Sequence, residues 1–307
     1  MTKVFIDGSA GTTGLRIYER LASRRDIEWM LLPEELRKDE NARRDMLNRA
    51  DIAFLCLPDA AAIEAVSMVD NPNTAIIDTS TAHRTAGGWI YGFPEIGGRR
   101  ADIAKSKRIA NPGCHAGGFV ALVAPLIESG LIAPETPLTC FSLTGYTGGG
   151  KKMIAEYEDE GRDELLGSPR MYGLTQNHKH LKEMQAICGL TSAPIFCPIV
   201  ADFPCGMEVT VPLFADEVRG GAAAIRELYG DYYRTGLVRY VDNDGEDGFM
   251  ASNLMAGRDD MRITVVGNDE RILLVARFDN LGKGASGAAI QNMNLLLGVD
   301  EATGLNV

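Results

Sequence analysis

The first third of the chain alternates short, continuously apolar runs with segments in which apolar residues recur at helical spacing. Continuous apolar runs predict strands that are buried on both faces of a sheet, and the spaced segments predict amphipathic helices. The strand-like runs span residues 4–6, 27–32, 51–58 and 74–78, and the helical segments span residues 15–21 and 59–69. Strands alternating with helices predict an α/β domain with a parallel sheet, whose ligands bind at the carboxyl ends of the strands.

The remainder of the chain contains further strands and helices. Strand-like segments span residues 139–143, 208–214, 262–267 and 271–278, and helical segments span residues 119–127, 221–233 and 288–297. We interpret the central part as an α+β domain built on an antiparallel sheet. Apolar faces of such sheets commonly pair subunits, so a homo-oligomer, either a dimer or a tetramer, is expected.

The turn after the first strand is rich in glycine, with Gly8, Gly11 and Gly14 three residues apart in front of a helical segment. Glycine lets the backbone approach a pyrophosphate closely, and the helix N-terminus offers free N–H groups. The spacing is G-x-x-G-x-x-G, which differs from the usual dinucleotide-binding pattern G-x-G-x-x-G. The prediction therefore depends on the position of these glycines at the first strand-to-helix turn. We expect a Rossmann-like domain that binds a dinucleotide through Gly8, Ser9, Ala10, Gly11, Thr12, Thr13 and Gly14.

The residues after the second strand bear on the choice of cofactor. Glu34 and Glu35 would favour the free ribose hydroxyl of NAD, whereas basic residues would favour the 2′-phosphate of NADP. The basic residues that follow are Arg37, Lys38, Arg43 and Arg44. Because they outnumber the acids, NADP(H) is the expected cofactor, and a solvated helix face is the competing explanation.

Composition and charge exclude several classes of protein. The formal net charge of −11 repels nucleic acid and anionic membranes, so neither is an expected partner. The 307 residues are sufficient for two domains, each with its own core. No apolar stretch is long enough to span a membrane and no secretory signal begins the chain, so a cytoplasmic protein is expected.

Cys114 stands apart from the other five cysteines, which we expect to be free and mostly buried. It lies in the Gly-rich segment Asn111-Pro-Gly-Cys-His115, where a turn leads into a predicted helix. The positive end of a helix dipole and the free N–H groups there lower a thiol pKa toward the nucleophilic thiolate. Together with the nucleotide turn, this position predicts a thiolate that forms an acyl thioester and exchanges hydride with a nicotinamide.

Two polar segments are candidates for binding anionic groups. Ser80, His83 and Arg84 follow a strand end, where ligands collect in α/β sheets. In segment 145–152, the backbone N–H groups, the Thr147 hydroxyl and two lysines suit a phosphate, in the manner of an anion nest. A polar loop without a ligand is the alternative in both places.

Five sequence segments form one recognisable combination. They are Asp7 to Gly14 (DGSAGTTG), Tyr91 to Glu95 (YGFPE), Asn111 to His115 (NPGCH), Thr144 to Gly150 (TGYTGGG) and Asn177 to His180 (NHKH). The combination resembles the N-acetyl-γ-glutamyl-phosphate reductase family, in the short form found in some bacteria, and the resemblance runs nearly end to end. In the more widespread long form Tyr and Pro follow the cysteine and the second-strand region is longer, whereas His115 and Ala116 follow the cysteine here.

The resemblance implies a mechanism. Cys114 would attack the acyl phosphate of N-acetyl-γ-glutamyl phosphate and expel phosphate, and NADPH would reduce the thioacyl enzyme to release N-acetylglutamate semialdehyde, a step in arginine biosynthesis. A histidine would act as acid and base, with His180 the first candidate, His178 the second and His115 the third. In an extended segment His178 and His180 would point the same way and line one pocket.

The resemblance also implies the remaining site residues and the domain limits. The substrate-binding residues would be Arg84, Asn111, His115, Gly145, Thr147, Gly148 and Gly149. Ser80 and Gly284 would join the cofactor site, because the Gly-rich segment around residue 284 lies beside the nicotinamide in the family. The last helix returns to the nucleotide domain in the family, so residues 1–115 with 284–307 and residues 116–283 are the expected domains.

Two other functions use the same residue types. An aspartate-semialdehyde or glyceraldehyde-phosphate dehydrogenase follows the same thioester route, but with different motifs around its cysteine and without this H-x-H segment. A non-catalytic NADP-binding sensor would use Cys114 to respond to oxidation, and it would need neither a base nor a phosphate pocket. A metal site is not expected, because no third ligand lies at a zinc-like spacing from the histidines.

Overall fold

The computed structural model describes all 307 residues, which form two compact units. The first unit comprises residues 1–94, 98–113 and 285–305, and the second comprises residues 95–97, 114–284 and 306–307. The units therefore divide before Cys114 rather than after His115, because the helix that begins at Cys114 packs entirely within the second unit. None of the helices has the length and apolar character needed to cross a membrane.

Thirteen strands and nine α-helices make up the regular structure. The strands are β1 (Thr2–Asp7), β2 (Ile27–Met30), β3 (Ile52–Leu55), β4 (Ala75–Asp78), β5 (Ile90–Tyr91), β6 (Arg108–Ala110), β7 (Thr139–Gly145), β8 (Arg170–Met171), β9 (Ile195–Ala201), β10 (Met207–Phe214), β11 (Val238–Tyr240), β12 (Met261–Gly267) and β13 (Arg271–Phe278). The helices are α1 (Thr12–Leu21), α2 (Glu40–Arg49), α3 (Asp59–Ser67), α4 (Arg99–Lys105), α5 (Cys114–Glu128), α6 (Gly150–Glu158), α7 (His180–Cys188), α8 (Gly221–Tyr232) and α9 (Gly287–Leu297).

The first unit is built on a six-stranded, entirely parallel sheet in the order β2-β1-β3-β4-β6-β5. Every residue of β3 and β4 is buried, because a core cluster covers each face of the sheet. This confirms the parallel α/β sheet predicted from the continuous apolar runs. The strand order reverses between β1 and β3, which is the position where open parallel sheets bind ligands.

The second unit contains a seven-stranded sheet in the order β11-β12-β13-β10-β7-β9-β8. The pairs along β12, β13, β10 and β7 are antiparallel, but β7 pairs with β9 and β11 pairs with β12 in parallel. The α+β class is confirmed, and the sheet is mainly antiparallel with two parallel pairs. Parallel pairing requires a long crossover, and the chain between β7 and β9 provides one through α6 and α7.

Helix α5 is the centre of the second unit, and it is buried from His115 to Leu126. Pro125 lies inside the helix and has no N–H to offer to the carbonyl of Ala121. The Tyr233 hydroxyl donates to that carbonyl at 2.6 Å. Gly118 lets β10 approach closely, because a Cβ there would lie 2.6 Å from Val209 Cγ2. These contacts hold the helix, and therefore its first residue, in a fixed place.

Candidate active site

The turn that precedes Cys114 is held by buried polar contacts within the first unit. Asn111 is almost fully buried, and its backbone N–H donates to the carbonyl of Asp78 at 2.7 Å. Its side chain donates to the carbonyl of Ala285 at 3.0 Å, and its own carbonyl accepts from Nε of Arg84 at 2.9 Å. Asn111 and Arg84, both predicted to bind substrate, therefore have structural partners that shape this turn.

Cys114 is the first residue of α5 and is half-buried, which leaves its thiol accessible at the N-terminus of the helix. Gly284 lies against it, since a Cβ on Gly284 would come within 3.0 Å of the Cys114 Cβ. The sequence prediction placed Gly284 in the cofactor site; in the second unit it contacts Asp279 and Phe278 as well as the cysteine. That the helix N-terminus lowers the pKa of the Cys114 thiol stays a prediction.

The other cysteines are all free, but fewer are buried than expected. Only Cys140 and Cys188 are fully buried, and Cys56, Cys197 and Cys205 are half-buried. Burial raises the pKa of Cys56 to about 12 and also raises the pKa of Cys140. These two thiols therefore stay protonated and unreactive.

The H-x-H segment is not extended, so the geometric reason given for pairing its histidines is wrong. Lys179 has helical dihedral angles, and His180 is the first residue of α7. The turn nevertheless brings the rings of His178 and His180 to 4.8 Å between centroids. The same rings lie 6.0 and 5.5 Å from the ring of His115. The pocket beside α5 therefore contains three imidazoles.

Burial governs the electrostatics of this pocket. It lowers the pKa of His178, with a smaller contribution from the Lys179 charge. It also lowers the pKa of His115 to about 3, with His178 as the second cause. Burial raises the pKa of Tyr172, and the charge of Cys114 raises it further. At neutral pH His115 and His178 are therefore neutral, and Tyr172 keeps its proton.

His115 has both ring nitrogens engaged within the protein. Nδ1 lies 2.6 Å from Oγ of Ser142, and Nε2 lies 2.7 Å from the Tyr172 hydroxyl. Only 3% of the residue is exposed, so this arrangement leaves no nitrogen for a substrate contact. Sequence reasoning missed both partners. The inward-facing position of Ser142 in the alternating strand β7 was the one available signal.

The glycine-rich segment after β7 is a short 3-10 helix over Tyr146–Gly149 that continues into α6. The backbone N–H groups of Gly145, Tyr146 and Thr147 donate to carbonyls of the segment 203–206. The Thr147 hydroxyl donates to the carbonyl of Pro204 at 2.6 Å. Gly148 and Gly149 lie within the 3-10 helix, whose i→i+3 bonds use their N–H groups. Phosphate binding at these two glycines stays a prediction.

The lysines of the same segment do not converge on it. Lys151 and Lys152 lie on the exposed side of α6, and Lys152 is within 3.9 Å of Glu156 on the next turn. Helix geometry turns both side chains to solvent, and their contribution to an anion nest stays a prediction.

The turn after β1 is as tight as the glycine pattern predicts. Gly8 has φ +90°, and a Cβ on it would lie 2.2 Å from the carbonyl oxygen of Cys56. A Cβ on Gly14 would lie 2.6 Å from the Gly8 carbonyl oxygen. A cavity of about 680 Å³ opens beside Gly8, Ser9 and Ala10 and extends over the end of β2. The turn and the α1 N-terminus fit the phosphates of a dinucleotide, which is held by backbone groups.

The basic residues near this cavity separate into two kinds. Arg43 is buried and pairs with Asp7 at 3.0 Å and with Glu64 at 3.3 Å. Burial raises the pKa of Asp7 even though Arg43 lies beside it. Arg37 and Lys38 are exposed and line the cavity.

The polar residues after β4 bind one another. The fully buried Asp78 carboxylate accepts the Ser80 hydroxyl at 2.8 Å and lies 2.6 Å from Nδ1 of His83. The His83 ring stacks on Trp89 with centroids 4.1 Å apart. Ser80, predicted to bind the cofactor, is therefore held in place at the carboxyl end of the sheet.

Comparisons with known proteins agree with this arrangement. Residues 30–106 match the family described as semialdehyde dehydrogenase, NAD binding domain, and residues 114–280 match semialdehyde dehydrogenase, dimerisation domain. The chain is 44% identical to N-acetyl-gamma-glutamyl-phosphate reductase 2 of a Nostoc species, with 99% of each chain covered. It is 47% identical to N-acetyl-gamma-glutamyl-phosphate reductase of Brucella anthropi, with 96% of this chain and 98% of the relative covered.

Solved structures share the fold at low identity. Aspartate semialdehyde dehydrogenase II of Vibrio cholerae, in complex with ASA, superposes with a TM-score of 0.73 at 16% identity, covering 97% of this chain and 98% of that one. Aspartate semialdehyde dehydrogenase of Candida albicans, solved with NADP, gives a TM-score of 0.66 at 14% identity, covering 96% and 98%. On fold, motifs and full-length similarity together, the chain belongs to the N-acetyl-gamma-glutamyl-phosphate reductase family of semialdehyde dehydrogenases.

Proposed function

We propose that this protein catalyses the NADPH-dependent reductive dephosphorylation of N-acetyl-γ-glutamyl phosphate to N-acetylglutamate semialdehyde, a step in arginine biosynthesis. The observation that carries the proposal is the accessible Cys114 thiol at the start of α5, in a unit whose neighbouring pocket holds His178, His180 and Tyr172. The acyl group is chosen from the names of the relatives, which are N-acetyl-gamma-glutamyl-phosphate reductases.

The proposed reaction has three chemical steps. His180 removes the thiol proton of Cys114, and the sulfur attacks the acyl carbon so that the C–O bond to phosphate breaks and phosphate leaves with the electron pair. NADPH, when bound, supplies the hydride that reduces the thioester carbon. His180 then protonates the resulting oxygen and takes the proton back as the carbonyl re-forms, while the C–S bond breaks and the thiolate leaves. His178 is the second candidate for the acid and base.

The cofactor is assigned to NADP through the residues at the cavity mouth. Arg43 is committed to Asp7 and Glu64, so Arg37 and Lys38 are the cations that would meet a 2′-phosphate. The segment from Gly8 to Gly14 would hold the pyrophosphate and Ser80 the nicotinamide side.

The substrate phosphate is assigned to the N-terminus of α6, which follows Gly148 and Gly149. A helix N-terminus preceded by glycine suits a leaving phosphate, because it offers N–H donors and the positive dipole end. Asn111 and Arg84 would affect substrate binding indirectly, because they hold the turn before Cys114 in place. Gly145 and Thr147 would likewise act by fixing the conformation of the loop before α6.

An exposed apolar sheet face supports a homodimer. Phe141, Ile195 and Phe214 are 43%, 61% and 62% exposed on strands of the second unit. Large apolar side chains grouped on a sheet face mark an interface. Phe214→Glu should shift the mass measured by light scattering toward the monomer, and Phe249→Glu, at a loop residue that is 78% exposed, should not. A dimer or tetramer unaffected by Phe214→Glu would place the interface elsewhere.

The activity is tested in the reverse direction with N-acetylglutamate semialdehyde, NADP and phosphate. Wild type and the control Cys197→Ser should form NADPH only when phosphate is present, and Cys114→Ser should lose at least about 1000-fold in rate. Turnover of aspartate semialdehyde in place of the acetylated substrate would reassign the acyl group. Cofactor binding without turnover of either aldehyde would instead favour the redox sensor.

A further inference from the structure

The hydrogen bonds of His115 determine which of its ring nitrogens carries the proton. Ser142 is fully buried on β7, and its hydroxyl has one hydrogen-bond partner, Nδ1 of His115 at 2.6 Å. A buried hydroxyl needs an acceptor for its proton, because a buried polar group that makes no hydrogen bond destabilises the folded protein. If Nδ1 carried the proton, the Ser142 proton would face no acceptor. Nδ1 must therefore be the acceptor.

This assignment fixes the rest of the chain of bonds. A neutral imidazole with an unprotonated Nδ1 carries its proton on Nε2, which then donates to the Tyr172 oxygen 2.7 Å away. The tyrosine oxygen thus receives a proton from His115 instead of giving one to it. The hydroxyl proton of Tyr172 is therefore not used in the hydrogen bond with His115. It can be donated to a bound ligand.

The surroundings keep this arrangement in one state. The imidazole is packed edge-on against Phe196, with centroids 5.3 Å apart, and has 3% of its surface exposed. A cationic His115 would donate from both nitrogens and leave the Ser142 proton unsatisfied, so the geometry and the burial both favour the neutral ring. The Tyr172 hydroxyl lies 2.7 Å from Nε2 of His115, the residue that follows Cys114 at the start of α5. The Cys114 charge also raises the pKa of Tyr172.

We propose that His115 is a positioning residue: Ser142 sets its tautomer, and its Nε2–H turns the Tyr172 hydroxyl so that the phenol proton points to the oxygen of the acyl group on Cys114. A hydrogen bond from the phenol stabilises the negative charge that develops on this oxygen, both when the thioester forms and when it is reduced. The inference rests on the proposed function for the identity of the acyl group. It replaces the expected contact between His115 and substrate with an effect transmitted through Tyr172.

Nitrogen-15 NMR of histidine-labelled protein tests the tautomer without any substrate. The chain has four histidines, so the His115 signals can be assigned by comparison with a His115→Asn sample. We expect the Nε2–H tautomer, with unchanged shifts between pH 5.5 and 8. A protonated Nδ1 in the neutral ring, or titration within this range, would overturn the proposal. Because this result does not depend on turnover, it separates a failure of the proposal from a failure of the proposed function.

Kinetics of Ser142→Ala, Tyr172→Phe and the double variant test the catalytic consequence. We expect kcat to fall about 10-fold in Ser142→Ala and about 30-fold in Tyr172→Phe, with KM within about twofold. The double variant should be no slower than Tyr172→Phe, since Ser142 acts only through the tyrosine. Ser142→Thr, which keeps the hydroxyl, should recover most of the rate.

Two controls distinguish positioning from a loss of structure. Thr264→Val removes a buried hydroxyl from β12 of the same sheet and should leave kcat unchanged. The rate at which iodoacetamide alkylates Cys114 should stay within about twofold in Ser142→Ala, because the thiol itself is not perturbed. Ser142 would only support the fold if the losses of kcat in the two single variants multiplied in the double variant. A loss of kcat in Thr264→Val as large as that in Ser142→Ala would show the same.

Discussion

The two units of this protein build their sites in different ways. In the first unit the turn between β1 and α1 is a site formed by backbone, since Gly8 and Gly14 allow approaches that any side chain would block. In the second unit the histidine pocket is formed by side chains from separate elements, namely His115, His178 and Tyr172. A site made of backbone tolerates almost no substitution, whereas a site made of side chains can lose one function at a time without losing its fold.

The largest expected effect therefore belongs to the backbone site. In Gly8→Ala a methyl group would meet the Cys56 carbonyl oxygen at 2.2 Å, at a φ of +90° that alanine rarely adopts. We expect at least about a 1000-fold loss of NADPH affinity by calorimetry and a lower midpoint of thermal unfolding. Gly87→Ala is the matched control, because nothing lies within 4 Å of its added Cβ. Normal cofactor binding by Gly8→Ala would break the contrast between the two sites.

The histidine pocket should respond in rate rather than in stability. His180→Gln should lower kcat by about 100-fold or more, the usual contribution of a general acid and base, while His178→Gln should cost about 10-fold. Both variants should retain the thermal unfolding midpoint of wild type to within a few degrees. The measurement is steady-state kinetics beside calorimetry. A larger loss in His178→Gln would reverse the two assignments.

Acidification should destabilise the second unit through His115. The folded pKa of about 3 lies below the ordinary value of 6.5, so the native state binds fewer protons than the unfolded state between these values. The contribution of His115 to the free energy of unfolding is therefore fully present above pH 6.5 and is lost as the pH falls toward 3. At pH 4.5 the loss from this group is roughly 3 kcal/mol. Urea unfolding of wild type and His115→Asn at pH 7 and 4.5 measures it, and parallel pH profiles would contradict it.

The smallest expected effect lies at the mouth of the nucleotide cavity, where side chains complete a backbone site. Arg37→Ala combined with Lys38→Ala should raise the KM for NADPH about 10-fold and leave the KM for NADH nearly unchanged. Lys152→Ala serves as the control, since this lysine is 91% exposed on α6. Equal effects on both cofactors would mean that these cations do not meet the 2′-phosphate.

The sequence by itself determined the features that rest on local patterns. Continuous apolar runs predicted the buried strands of the first unit, and the glycine spacing predicted the β1–α1 turn. The Asn111-Pro-Gly segment predicted that α5 starts at Cys114. These follow from local backbone sterics and from hydrophobic periodicity, which act over a few residues.

Only the tertiary structure decided the features that join distant parts of the chain. His115 meets a serine 27 residues away and a tyrosine 57 residues away, and no motif connects them. The H-x-H segment is turned by the start of α7, and β7 and β9 pair in parallel through a helical crossover. Arg43 is one of four similar cations in the sequence, and only the fold shows that its guanidinium is paired with Asp7 and Glu64. Partners of this kind are selected by burial, because a buried polar group must be satisfied by whatever side chain the fold brings within hydrogen-bond distance.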